Sequence, residues 1–249
     1  MKIGIMQPYF FPYLGYLQLI QHTDKWIVFD SIQFSSKSWV NRNRILHPEQ
    51  SKDWQYVTIP LKKHSNLSQI NEIDINNNIT WQKQILGKLT HYKKIAPFYN
   101  QTIEIVKESI LPPHTKLNNV LVNSLVNTCD YLGIDFQYSL FSEMNFDDSI
   151  ITSPGDWALN IAKAHHASEY VNPPSGFKIF NEEAFIKNNI QLSFLTSDLP
   201  TYSQSRSPFS VGLSIIDIMM WNSPHDIKLM LNKYRINSYK ELDQQVIAK

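Results

Sequence analysis

The segment at positions 3–34 constrains the fold most, because it packs two apolar runs and a helical pattern into a short span. Ile3 to Met6 is short and apolar and predicts a buried strand, and Trp26 to Phe29 predicts a second one. Between them, Tyr13 to His22 carries leucine and isoleucine near helical spacing and predicts a helix. A strand–helix–strand unit of this size implies parallel pairing with a right-handed crossover.

The loop between the first strand and the helix carries the first candidate ligand-binding residues. Pro8 and Pro12 break regular structure and fix the loop backbone between them. In parallel α/β sheets, ligands bind at the carboxyl ends of the strands. The polar residues that follow the two predicted strands are therefore candidates for substrate binding: Gln7, Tyr9, Asp30 and Gln33.

A second group of candidates follows, where arginines alternate with asparagines. In an extended segment Arg42 and Arg44 share one face, and Asn41 and Asn43 share the other. Two guanidinium groups on one face suit a phosphate or a carboxylate, since each offers paired donors. The alternative interpretation is a surface loop whose arginines pair with nearby acids. A short strand is expected just before it, at Trp39 to Val40.

The rest of the chain predicts alternating strands and helices, with a helical segment at 80–132. Strands are expected at 54–60, 70–75, 135–140, 169–172 and 191–195, the first two as a hairpin. Helices are expected at 81–96, 98–110, 116–132, 156–167, 181–187 and in two stretches after residue 213. This alternation predicts a three-layer α/β fold with a mostly parallel, Rossmann-like sheet. We expect one domain over 1–249, with 80–132 as a helical subdomain or insertion.

Composition and missing motifs exclude several classes of function. A formal net charge of +1 argues against nucleic-acid binding. No stretch resembles a signal peptide or a membrane span, which predicts a cytoplasmic protein without membrane insertion. The single cysteine, Cys129, allows no intrachain disulfide and lies near a helix C-terminus, which favours a structural role. Neither an H-E-x-x-H nor a C-x-x-C motif occurs, so no metal site is expected, and G-x-G-x-x-G, Walker and G-x-S-x-G motifs are absent as well.

Several motifs resemble those of the WbqC-like protein family. They are QPYFFPYLGYLQLI from Gln7, WVNRNRI from Trp39, YVNP from Tyr170 with Gly176, YSQ with Tyr202 and Gln204, and LSIIDIM from Leu213. The resemblance covers nearly the whole chain. It implies a bacterial protein of surface-polysaccharide biosynthesis, because members occur in O-antigen (lipopolysaccharide) gene clusters. A glycine or aminoacyl transferase role on amino sugars has been proposed for the family. Within the matched motifs, Asn172, Gly176, Tyr202 and Gln204 become candidate substrate-binding residues.

The start of the first helix is also similar, more distantly, to HIGH-type nucleotidylyl transferases and to pantothenate synthetase. Those proteins place H-x-G-H where this chain has Tyr13, Leu14, Gly15 and Tyr16. Gly15 fits, because the backbone must approach a nucleotide closely. Tyr13 and Tyr16 can donate hydrogen bonds but cannot carry an imidazolium charge, which puts ATP use in question. The alternative is that one tyrosine packs beneath the sheet and the other lines a cleft.

Together the two resemblances imply an aminoacyl or acyl transferase, or an amide-forming ligase, that acts on an amino sugar. The implied acyl donor is an adenylate made from ATP or a carrier-bound thioester, and the implied partners are a nucleotide-linked amino sugar and an acyl carrier protein. Asp217 lies in the apolar LSIIDIMM stretch, where burial is costly without a partner. We expect it to accept the amine proton or to form an ion pair with Arg44 or Arg206. The alternatives are a nucleotidyl transferase acting on a sugar phosphate and a non-catalytic sugar-nucleotide or carrier-protein binding module.

Overall fold

The computed structural model of this chain describes residues 1–206 and 208–247. Eight strands lie in this part of the chain: β1 Lys2–Met6, β2 Lys25–Val28, β3 Arg42–Leu46, β4 Trp54–Thr58, β5 Tyr138–Leu140, β6 Glu169–Asn172, β7 Gln191–Ser197 and β8 Tyr234–Ser238. The α-helices described are α1 Leu14–His22, α2 Trp81–Leu89, α3 Tyr99–Ile110, α4 Leu117–Leu132, α5 Asp156–Ala164, α6 Glu182–Lys187, α7 Ile215–Trp221, α8 Pro224–Leu231 and α9 Tyr239–Ile247.

Six of the strands form one sheet in the order β5-β2-β1-β6-β7-β8. The first five are parallel to their neighbours, and β8 is antiparallel to β7. This order matches that of a doubly wound sheet, in which the chain builds outward from β1 first in one direction and then in the other. The direction of building reverses between β1 and β6, which makes a crevice at their carboxyl ends. The predicted mostly parallel, Rossmann-like sheet is confirmed.

Helices cover both faces of the sheet and give the predicted three layers. On one face, Trp26 and Val28 of β2 pack with α1, α4 and α7. On the other, Ile3 and Ile5 of β1 pack with α5, α6 and α9. Gly4 makes the first packing possible, because a Cβ there would lie 2.6 Å from two ring carbons of Trp26. Strands that are buried on both faces have continuous apolar sequences, which is why the sequence predicted β1 and β2.

The helices of the 80–132 segment pack into the same hydrophobic cluster as α1 and α7. Helix α4 ends at Leu132, and the next residue, Gly133, caps it in the left-handed conformation with a φ of 63°. Cys129 on α4 is fully buried, and burial raises the pKa of its thiol. The division of the chain into a domain and an insertion stays a prediction.

Two predicted strands are wrong. The 70–75 segment forms a 3-10 helix at Ile70–Glu72, where the Glu72 carboxylate accepts the backbone N–H of Gln69 at 2.8 Å and favours a turn. The hairpin expected between 54–60 and 70–75 is reduced to a single bridge, Leu61 to Ile75. Strand β4 pairs instead with β3, antiparallel, in a separate two-stranded sheet. The strand expected at 39–40 begins later, at Arg42.

In the described part of the chain, no helix combines the length and the apolar character that crossing a bilayer requires.

Candidate functional site

The loop at 7–13 is held rigidly between the large sheet and the β3–β4 hairpin. Asn43 donates its side-chain N–H to the carbonyl oxygens of Phe10 and Phe11, at 3.1 and 2.8 Å. The hydroxyl of Ser214 also donates to the Phe11 carbonyl, at 2.7 Å. These bonds hold Phe11 at a φ of 41°, which is uncommon for a residue with a side chain. The loop backbone is therefore fixed from two sides.

A cavity of about 570 Å³ lies where the strand order reverses, and we call it the switch-point cavity. Two candidate binding residues, Gln7 after β1 and Asn172 at the end of β6, are among its lining residues. Its walls are mostly apolar and aromatic, and none of its lining side chains is charged. Among those lining residues are Phe29, Ile32, Thr152, Ser153, Trp157 and Tyr170. This volume and this lining are typical of small-molecule sites.

The polar groups of the switch-point cavity are already ordered by their neighbours. The Tyr170 hydroxyl donates to Asn172 Oδ1 at 2.9 Å, and Asn172 Nδ2 donates to the Pro173 carbonyl at 2.9 Å. The Asp156 carboxylate accepts the backbone N–H groups of Thr152 and Ser153 just before α5. The two amides that precede α5 are therefore already bound by an acid. The cavity suits a neutral ligand.

A second cavity, of about 220 Å³, lies beside Tyr9, and we call it the Arg44 cavity. Its lining residues are Tyr9, Tyr13, Trp39, Asn43, Arg44, Leu199 and Gly212. Gln7 Nε2 donates to the Tyr9 hydroxyl at 3.2 Å, so one hydrogen-bonded pair stands between the two cavities. Burial raises the pKa of both Tyr9 and Tyr13, and the nearby Tyr13 raises that of Tyr9 further. Both phenols are therefore neutral donors near pH 7.

The two arginines of β3 lie on one face of the hairpin, as the alternation predicted. The guanidinium carbon of Arg42 lies 4.7 Å from the ring centroid of Tyr56. That of Arg44 lies 5.0 Å from Trp39 and 5.3 Å from Trp54. Of the two, only Arg44 is a lining residue of the second cavity. Neither has a carboxylate within 4.0 Å in the part of the chain described here.

Asp217 is fully buried at the start of α7 and is bound by three donors. Its Oδ1 accepts the Tyr92 hydroxyl, and its Oδ2 accepts the Tyr202 hydroxyl at 2.7 Å and Gln204 Nε2 at 3.2 Å. Burial raises the pKa of Asp217, although the three hydrogen bonds act in the opposite direction. No arginine is among the partners that the structure describes for it. Gln204 also binds the backbone of Ser210 in both directions, at 2.9 and 3.0 Å, which closes the loop before α7.

Tyr16 and Gly15 lie beneath the loop rather than in a cavity. Tyr16 is 1% exposed, and its hydroxyl donates to the Gln7 carbonyl at 3.1 Å. A Cβ on Gly15 would lie 2.5 Å from the Tyr13 ring and 3.1 Å from the Ser197 side chain. The close approach that the glycine allows is thus made by protein atoms.

Other predicted site residues have partners elsewhere. Asp30 is buried, and its carboxylate accepts Asn118 Nδ2 at 2.8 Å and the Ser142 hydroxyl at 2.7 Å. Gln33 is exposed and donates to the Asn66 carbonyl at 2.7 Å. Two more predicted residues lie outside the lining of both cavities: Asn41, which donates to the Ile59 carbonyl at 2.9 Å, and Gly176, near Asn172.

Some residues of these cavities carried no functional signal in the sequence. Trp157 and Ser153 belong to a predicted helix start, and Trp39 to a predicted short strand, so the sequence indicated structural roles for them. Leu199 and Gly212 enter the Arg44 cavity from a loop that follows β7. Among the described residues, no group of three or more histidine, cysteine, aspartate or glutamate side chains could hold a metal ion.

Comparison with known proteins agrees with the motifs described above. The family model described as the WbqC-like protein family matches residues 7–229. The chain is 26% identical over 223 residues to the uncharacterised protein Rv1507c of Mycobacterium tuberculosis. The alignment covers 88% of this chain and 92% of that relative. No solved structure matches the chain significantly.

Proposed function

This chain belongs to the WbqC-like protein family, and we propose that it is a transferase of surface-polysaccharide (O-antigen) biosynthesis. In the reaction that we propose, an amide forms between an amino acid, such as glycine, or another acyl group and an amino sugar. One observation carries the proposal: two cavities at the carboxyl edge of the sheet are separated by the Gln7–Tyr9 pair. A transfer reaction needs two substrates held side by side, and adjoining cavities supply that arrangement.

In this proposal the switch-point cavity holds the sugar. Phe29 and Trp157 offer aromatic faces for the apolar side of a pyranose ring. Gln7 and Asn172 offer amide groups to the sugar hydroxyls. The sugar amine then faces Tyr9 at the boundary between the cavities.

The chemistry assigned to the boundary is addition of the amine to an activated acyl carbon. The C–N bond forms, the bond to the adenylate or thiol leaving group breaks, and the amine releases one proton to solvent. Negative charge develops on the acyl oxygen in the transition state, and a neutral phenol can donate a hydrogen bond to it. Tyr9 fits this role, because its hydroxyl accepts from Gln7 and keeps its own proton free to donate. Tyr13 lines the same cavity and supplies a second phenol.

Asp217 takes an indirect part in this proposal. Its side chain has no exposed surface, so a substrate amine does not reach it. It holds the Tyr202 hydroxyl and Gln204, and these shape the loop whose Leu199 and Gly212 line the Arg44 cavity. Asp217 and Gln204 thus act as positioning residues.

The test is product analysis by mass spectrometry. The protein is incubated with UDP- or dTDP-linked amino sugars and with either ATP and amino acids or acyl thioesters. We expect an amide product whose rate falls in Tyr9→Phe and Trp157→Ala, while Tyr99→Phe, which alters a phenol on α3 outside both cavities, retains it.

Three outcomes would contradict the proposal. Release of pyrophosphate with a new nucleotide sugar would indicate a nucleotidyl transferase. Stabilisation by ligands without any product would indicate a binding module. The absence of an amide with both donor types would also reject it.

A further inference from the structure

Arg44 is held in one orientation by two aromatic rings and one backbone contact. Its guanidinium lies against Trp39 and Trp54, at 5.0 and 5.3 Å from the ring centroids. Nη2 donates to the Gly212 carbonyl at 3.1 Å. The indoles stabilise the cation through their π faces and keep water from it. The protein therefore fixes the position of this charge.

The charge of Arg44 is not neutralised within the described part of the chain. All four ion pairs found there are formed by lysines, and Nε of Arg44 is buried without an acceptor. A guanidinium offers five N–H donors, and among residues 1–206 and 208–247 the one acceptor found for those of Arg44 is the Gly212 carbonyl. A partly desolvated cation with free donors attracts an anion more strongly than one in bulk water.

Two other arginines show what distinguishes Arg44. Nη1 and Nη2 of Arg206 donate to five backbone carbonyls in the segment from His47 to Asp53, so both of these groups are occupied. Arg42 lies over Tyr56 but not in the cavity lining. Of these three arginines, Arg44 is the one that combines free donors with a cavity lining, and Tyr9 and Tyr13 bring two phenols to the same cavity.

We propose that the Arg44 cavity binds a phosphoryl group of a nucleotide-linked substrate. Because the proposed function places the sugar in the switch-point cavity, that substrate is the acyl adenylate. A guanidinium and phenols arranged around one cavity offer donors from several directions, which suits a tetrahedral phosphoryl group with three acceptor oxygens. The volume of about 220 Å³ leaves room for one phosphoryl group and part of what it is attached to. The identity of the attached substrate rests on the proposed function, whereas the binding of a phosphoryl anion does not.

The experiment is calorimetric titration of the protein with inorganic pyrophosphate, with potassium chloride used to keep the ionic strength constant. We expect binding by the wild type, and binding tenfold to a hundredfold weaker in Arg44→Gln, the range expected for the loss of hydrogen bonds to a charged group. Arg42→Gln is the matched control, because it removes the neighbouring arginine of the same strand face, and we expect its affinity to stay within about twofold. Arg44→Lys keeps the positive charge but lacks the paired N–H donors of the guanidinium, and it should bind pyrophosphate with intermediate affinity.

Equal losses in the two glutamine variants, or no binding by the wild type, would overturn the assignment. Tighter binding of acetate or glycine than of pyrophosphate would overturn the phosphoryl assignment. If Arg44→Gln misfolds by circular dichroism, Tyr13→Phe replaces it, and unchanged affinity in that variant counts against the site. The titration uses no amino sugar and no acyl donor, so its failure is distinguishable from failure of the transfer assay.

Discussion

Replacing Asp217 with asparagine tests the buried network that anchors the loop before α7. Both tyrosine hydroxyls that donate to Asp217 already accept another hydrogen bond. Tyr92 accepts the backbone N–H of Leu46 at 2.9 Å, and Tyr202 accepts Gln204 Nε2 at 3.1 Å. The asparagine amide brings two N–H donors into a place where every neighbour is a donor, so at least one of them stays without an acceptor.

The size of the effect follows from two opposing contributions. A buried donor without a partner costs about 1–3 kcal/mol, and the same change removes a buried charge whose desolvation is unfavourable. The raised pKa of Asp217 shows that desolvation outweighs its hydrogen bonds. Each unit by which that pKa is raised corresponds to about 1.4 kcal/mol. We therefore expect Asp217→Asn to be less stable by about 1–3 kcal/mol in acid, and by less than that near neutral pH.

The sign of the pH dependence follows from linkage. Because the pKa of Asp217 is higher in the folded state than the ordinary value of 3.8, the folded protein binds this proton more tightly than the unfolded chain. The stabilising contribution is complete below the ordinary pKa and is lost as the pH rises through the folded pKa. Asparagine has no such proton, so the difference in unfolding free energy between the two proteins narrows as the pH rises.

The measurement is urea unfolding, followed by tryptophan fluorescence, at several pH values between about 4 and 7. The six tryptophans provide the signal. Asp130→Asn, which alters an exposed carboxylate on α4, serves as the control and should change stability by less than about 0.5 kcal/mol. A difference between wild type and Asp217→Asn that stays constant, or grows with pH, would refute the reasoning.

Three further changes test packing and exposure. Gly15→Ala should lower the free energy of unfolding, measured by thermal melts, by about 1–3 kcal/mol, because its Cβ would lie 2.5 Å from a ring carbon of Tyr13. In the control Gly87→Ala, in α2, the new Cβ meets nothing within 4 Å, and the same melts should show stabilisation by about 0.5–1 kcal/mol. Cys129 should react with iodoacetamide only after denaturation, because burial raises the pKa of its thiol; labelling of the folded protein, seen by mass, would contradict this. Arg206→Lys should speed amide hydrogen exchange in the β3–β4 turn, because one ammonium cannot replace five N–H contacts to carbonyls; unchanged exchange would argue against this anchor.

The elements that could be predicted are those whose signal is local. The first strand, helix and second strand lie within a residue or two of the expected bounds, because buried parallel strands are short apolar runs and α1 repeats at helical spacing. The parallel pairing followed from the short connection and is confirmed by the register of Ile3 with Lys25. The three-layer architecture followed from the alternation of strands and helices.

The small sheet could not be predicted, because its pairing depends on contacts distant in sequence. Strand β3 is polar in sequence, and only its pairing with β4 makes it a strand. The 70–75 segment alternates like a strand, yet a local side-chain contact at Glu72 turns it into a 3-10 helix. Strand β8 is short and polar and is paired with β7 at the edge of the sheet, so its own residues did not predict a strand.

The candidate site shows the same division. Gln7 and Asn172 could each be singled out from the sequence, because each lies at the carboxyl end of a predicted strand, and such ends share one edge of a parallel sheet. Arg42 and Arg44 could not be told apart, since they alternate on one face of one strand. The structure distinguishes the two because Arg44 donates to the carbonyl of Gly212, which lies 168 residues away in sequence. The partners of Asp217 were hidden for the same reason, since Tyr92 lies 125 residues from it.

The start of α1 explains why the charge in this region comes from the hairpin. In a doubly wound fold, a glycine-rich turn after the first strand usually lets a phosphate reach the amides of the first helix. Here the Tyr13 ring and Ser197 occupy the space over Gly15, in the first turn of α1. The side of Gly15 on which a nucleotide would approach is thus covered by protein atoms. Arg44 and Tyr13 line one cavity, and in our proposal the fixed guanidinium takes the place of the helix terminus as the group that binds an anion at this edge of the sheet.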